Sequence, residues 1–187
     1  MSSSDLIRWG GLAAMLCGVA FIVLMLIPEG PIRSFSGRLG TFVFIVALLL
    51  LIVALVGFHA LQKDSYGRIG RAGFYTLIVG ASAQIVAAVV RLFGSMALGF
   101  LDIVGLLGVF AGLVLYGAAS LQARVLPRWC GVGFIVAVPV FIIGSAALGG
   151  WFGGALGGIL FGLLWIALGY VLWSRRGSAA EQPSRVS

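Results

Sequence analysis

Charge is scarce in this chain. Only 9% of its 187 residues are Asp, Glu, Lys or Arg, while 61% are hydrophobic, and the mean hydropathy is +1.19. A water-soluble domain needs roughly a quarter of its residues charged to cover its surface, so that class is excluded. Histidine is scarcer still: His59 is alone, which rules out a bis-His haem, any centre needing two imidazoles and a His-Glu-x-x-His zinc helix. The two cysteines, Cys17 and Cys130, form no Cys-x-x-Cys pair, so a thiol oxidoreductase of that kind is excluded as well. Placed from the nearest arginines, Arg8 and Arg128, their sulfurs differ in depth by about 10 Å. That separation is too great for a disulfide. The Gly-rich stretch 149–158 has no lysine and is not a phosphate loop.

What remains is six apolar runs, at about Leu6–Ile27, Leu39–Leu61, Ala72–Val90, Ala97–Leu121, Cys130–Leu148 and Trp151–Trp173. A bilayer core of about 30 Å is crossed by about 20 helical residues, so each run spans it once. The reading is an all-α, polytopic bundle of six helices forming one membrane domain over residues 1–173. A disordered cytoplasmic tail is expected over 174–187, where Gly, Ser, Pro and charge replace the apolar face. The first run ends in Leu26-Ile27-Pro28-Glu29 rather than a small-x-small site, so it is expected to be a retained helix and not a cleaved signal.

The net charge of +7 does not point to nucleic acid, because the basic residues sit at the ends of the spans. Six crossings put nine Lys and Arg on the side of the termini and three on the other, which predicts both termini in the cytoplasm of a cell with the protein in its plasma or inner membrane. Trp9, Trp129 and Trp173 then fall at the inner interface and Trp151 at the outer, as headgroup anchors.

The chain also matches itself. At an offset of 60, Gly57, Leu61, Gln62, Arg68, Gly73 and Phe74 meet Gly117, Leu121, Gln122, Arg128, Gly133 and Phe134; at 120, Arg8, Trp9 and Gly11 meet Arg128, Trp129 and Gly131. This predicts three two-helix hairpins in a parallel repeat. The segments Arg8-Trp9-Gly10-Gly11-Leu12-Ala13-Ala14 and Leu126-Pro127-Arg128-Trp129 resemble parts of small, uncharacterised bacterial multi-pass membrane proteins with six helices. The resemblance implies no activity.

Glycine recurs every four residues at Gly150, Gly154, Gly158 and Gly162. Small residues so spaced form a flat stripe along which two backbones approach closely. Packing within the chain is the first expectation, and an interface with a second copy or another membrane protein is the alternative.

Polar groups inside spans are the candidates for function. Asp102 is expected to cap a helix starting at Ile103, with Arg91 as its partner across the connector; a functional carboxylate a turn and a half deep is the alternative. Gln84, near Ser82 and level with the kinking Pro139, is expected to bond a neighbouring helix, or else to line a midplane site. His59 reads as a hydrated interfacial histidine. Ser82 lies about 10 Å deeper than His59, too far for a catalytic pair. No cofactor, metal or catalytic set is indicated, and membrane lipid is the expected partner. Three functions stay open: an accessory, partner-binding membrane protein, which is favoured; a small permease for a small or apolar solute; and an enzyme acting on lipid, quinone or isoprenoid, for which only Asp102, Arg91 and Glu29 are available.

Overall fold

The computed structural model describes the backbone over residues 3–27, 35–63, 65–147 and 150–174, and side-chain surroundings over 5–27, 36–63, 65–143 and 155–174. Those residues form six helices and no strand: α1 Ser3–Leu26, α2 Phe35–Gln62, α3 Gly67–Leu92, α4 Phe100–Ala123, α5 Arg128–Ala147 and α6 Gly150–Ser174. Five are long and apolar enough to cross a membrane, and the described part of α5, Arg128–Ile143, is apolar too. The chain is an integral, multi-pass membrane protein.

Most helices overrun the predicted spans by a few residues, because polar residues at their ends remain helical where headgroups and water satisfy them. At α4 the helix instead starts later, at Phe100. Gly94 takes a left-handed φ of 79° just past α3, and a loose turn follows. At the other end of α4, Arg124 occupies the left-handed C-cap with φ 53°, and Pro127 precedes α5. Its carbonyl accepts the Cys130 N–H at 2.9 Å, closing the first turn.

Each helix lies against its neighbours in the chain, and α1 closes a ring against α6. The α3–α4, α1–α6 and α1–α2 seams are the closest, and α2–α3 is the loosest. Glycine sets the close ones. A Cβ on Gly10 of α1 would lie 2.5 Å from the Cα of Gly57 in α2, and one on Gly162 of α6 would lie 2.6 Å from the Gly18 carbonyl oxygen of α1. Between helices in lipid there is no hydrophobic driving force, so backbone-to-backbone packing of this kind carries the association.

Of the four glycines at that spacing, Gly158 faces Met25 and Gly162 faces Gly18, both on α1. The surroundings of Gly150, Gly154 and Trp151 lie outside the described residues. Among positions related by 60, Gly73 faces α4 and Gly133 faces α6, each the next helix, whereas Gly57 faces α1 and Gly117 faces Gly131 of α5.

Aromatic rings fill the middle of the ring of helices. Phe58 of α2 meets Phe134 of α5 and Trp165 of α6 edge-on, at centroid separations of 5.6 and 6.3 Å. Tyr116 of α4 meets Phe134 at 5.6 Å. Such T-shaped pairs add about 0.5–1.5 kcal/mol each beyond the area they bury. Cys17 and Cys130 are both buried, and the two form no disulfide.

Candidate functional site

The structure separates the four polar candidates into two places. Arg91 and Asp102 form an ion pair across the α3–α4 connector, both partly exposed. Asp102 is not the helix cap: α4 begins two residues earlier, with Gly99 at the cap position, so the carboxylate sits in the first turn and is free to reach Arg91. Its backbone N–H donates to the Gly99 carbonyl at 3.1 Å. Gln84 lies deeper on the same seam, buried, with its side chain over Gly105 of α4. Pro139 is exposed on α5, and α5 does not adjoin α3, so the two are not brought together. Ser82 is exposed on the outer surface of α3.

His59 belongs to a different and more organised place. It lies one turn before the end of α2, half-buried, with its ring stacked on Phe74 of α3 at 4.2 Å. Its Nδ1 shares a hydrogen bond with the hydroxyl of Tyr66. Tyr66 stands in the short turn between α2 and α3, yet it is buried. Gly70 makes this possible, since any side chain there would collide with the Tyr66 ring. Burial pushes the Tyr66 phenol up to about 12, against the opposing pull of Arg71. Its ring in turn meets Tyr116 edge-on at 5.7 Å.

Beside this pair the ends of α2 and α4 exchange a buried hydrogen bond, Ser120 Oγ to Gln62 Oε1 at 2.9 Å. Gln62 and Phe58 are one turn apart on α2, as are Ser120 and Tyr116 on α4. All four therefore face the same interior at the arginine-rich end of the bundle. Among the described residues three buried polar atoms have no hydrogen-bond partner: Gln62 Nε2, the Tyr116 hydroxyl and Trp165 Nε1. Each can donate, and the indole and amide nitrogens can only donate. Leaving one such group unpaired costs about 1–3 kcal/mol. The rings of Tyr116 and Trp165 both pack on Phe134.

The arrangement offers donors, flat apolar walls and a rim of exposed cations: Lys63, Arg68 and Arg71 by α2 and α3, and Arg124 and Arg128 between α4 and α5. Among the described residues no group of three or more His, Cys, Asp or Glu gathers as metal ligands would. Sequence reasoning found His59 but passed over Gln62, Tyr116, Ser120 and Trp165. The available signal was a polar or aromatic pair at four-residue spacing on both α2 and α4. Comparison of the chain with protein-family models, with curated proteins and with solved structures finds no match in any of the three.

Proposed function

We propose that this integral membrane protein is an accessory, binding protein for a lipid-soluble molecule that carries hydrogen-bond acceptors, such as carbonyl oxygens on a flat ring or an ester. One observation supports the reading above all. Three fully buried donors, Gln62 Nε2, Tyr116 OH and Trp165 Nε1, lack acceptors in an aromatic interior. Buried polar groups are normally paired, and a ligand that brings only acceptors would pair these. The loose α2–α3 seam, where Tyr66 and His59 stand, supports a lateral route from lipid to this interior.

The same reading places the protein in the plasma or inner membrane with both termini and the tail 174–187 in the cytoplasm, so that the donor centre lies at the depth of the inner leaflet. Three parallel hairpins are part of it, supported by Gly73 and Gly133, which both face the following helix. Arg91 and Asp102 neutralise each other at the opposite end and serve the α3–α4 connector.

The test is retention. Full-length protein purified in mild detergent is extracted with organic solvent, and the extract is compared by mass spectrometry with that of the Gln62→Leu/Tyr116→Phe variant. Each lost hydrogen bond removes about 0.5–1.5 kcal/mol, so the double variant is expected to hold about 5- to 150-fold less of one enriched species. Equal retention by both proteins, or no enriched species, overturns the proposal.

A further inference from the structure

A second feature lies on the outer surface of the ring and shares with the donor arrangement only its rim arginines Arg68 and Arg71. Between α3 and α4 a groove of about 310 Å³ opens toward lipid. Its walls are Tyr75, Val79, Ala83 and Val104, and its floor is the crossing of Gly80 and Gly108, with Thr76 alongside. The floor is bare backbone: a Cβ on Gly108 would lie 3.1 Å from the Gly80 Cα. The lining is mainly apolar, and Tyr75, Val79 and Val104 are all more than half exposed.

The face of α3 that forms one wall continues toward the helix start as Arg71 and Arg68, both exposed. Steps of three and four residues keep Arg68, Arg71, Tyr75 and Val79 on one side of the helix. At a rise of about 1.5 Å per residue, Tyr75 is about 6 Å and Val79 about 12 Å deeper than Arg71. Along one line from interface to bilayer interior, the surface therefore presents two guanidinium groups, a phenol, and then an apolar channel. A lipid has the same order: charged head, ester region, acyl chain.

We infer that the α3–α4 seam is a binding site for an anionic phospholipid. Its phosphate rests on Arg68 and Arg71, its ester region lies by the Tyr75 hydroxyl, and one acyl chain lies in the groove over Gly80 and Gly108. The arginines select the sign of the head, because a guanidinium matches phosphate oxygens in pairs and is repelled by the cationic amine of a zwitterionic head. The groove selects for a chain by shape. Neither feature depends on the donor centre inside the ring.

The experiment is native mass spectrometry of the full-length protein released from nanodiscs of equal phosphatidylglycerol and phosphatidylcholine. Juxtamembrane basic residues add about 1 kcal/mol each toward anionic lipid, so two arginines are expected to enrich phosphatidylglycerol about 10- to 30-fold. Arg68→Gln/Arg71→Gln is expected to abolish the enrichment, while Arg68→Lys/Arg71→Lys keeps most of it. Val104→Trp, which fills the groove from an exposed position, is expected to lower retention of either lipid. The Gln62→Leu/Tyr116→Phe variant should enrich phosphatidylglycerol as the parent does. Equal binding of the two lipids by the parent overturns the inference. So does undiminished enrichment in the glutamine variant, or full retention in Val104→Trp.

Discussion

Replacing Tyr116 by Phe isolates the central physical claim, because it removes one oxygen and leaves the ring in place. In the folded chain that ring sits edge-on against Tyr66 and Phe134 and is fully buried, and its hydroxyl has no partner. In the unfolded chain the hydroxyl bonds to water. Folding therefore sacrifices a hydrogen bond, a cost of about 1–3 kcal/mol. Deleting the oxygen also removes a few dispersion contacts of about 0.1–0.2 kcal/mol each, which offsets part of the gain. Ligand-free Tyr116→Phe should be more stable than the parent by about 1–2 kcal/mol. With an acceptor-bearing ligand in place, the parent recovers about 0.5–1.5 kcal/mol through the hydroxyl and the variant does not, so the advantage shrinks or reverses. The assay is equilibrium unfolding in mixed micelles, on protein stripped by detergent washing and on protein resupplied with its membrane extract. If stripped Tyr116→Phe is less stable than the parent by 1 kcal/mol or more, the hydroxyl has a partner in the folded state, and the donor argument fails with it.

Three further outcomes are expected. Asp102→Asn should cost no more than about 1 kcal/mol, since its ion pair with Arg91 is partly solvated, and should leave retention of the extracted ligand unchanged; a fall in retention would move the pair into the site. Gly18→Leu should abolish the monodisperse folded peak in size-exclusion chromatography, because its Cβ would run into the Gly162 carbonyl; Gly40→Ala, whose Cβ meets only side-chain atoms at 3.9 Å, should be neutral or up to about 1 kcal/mol stabilising. The Tyr66 phenol, held protonated to about 12 against about 10 in an unfolded chain, contributes stability that is complete below pH 10 and lost as pH rises through 12. Absorbance at 295 nm, parent minus Tyr66→Phe, should show this ionisation near 12, and a transition near 10 would contradict its burial.

The six helices were legible because lipid imposes one rule on every residue of a span: backbone groups pair within the helix and side chains are apolar. Length and hydropathy then suffice to locate each helix, and only its ends escape. The run beginning at Leu39 belongs to a helix beginning at Phe35, since Ser36, Gly37 and Arg38 are polar or small yet still helical. Asp102 shows the converse. Its pairing with Arg91 follows from two opposite charges on a short connector, but its position within the first turn depends on where the Gly94–Gly99 turn ends, and hydropathy does not report that. That α1 is the neighbour of Gly158 and Gly162 likewise came only with closure of the ring.

The donor centre was hidden for a related reason, and two glutamines make it plain. Gln62 and Gln122 are equivalent at an offset of 60, each follows a leucine and each ends a span. In sequence they are indistinguishable, and at a span end either could reach water at little cost. In the structure Gln62 turns inward onto Ser120 and is fully buried, while Gln122 is exposed. The difference is the rotation of each helix end relative to the centre of the ring, a property of six helices together and of no segment alone. Polarity at the end of a span is therefore ambiguous until closure shows which groups are turned from water. Once it does, an inward amide with an unpaired nitrogen beside an inward phenol is no longer an interfacial residue, and the proposed ligand is what would supply its acceptor.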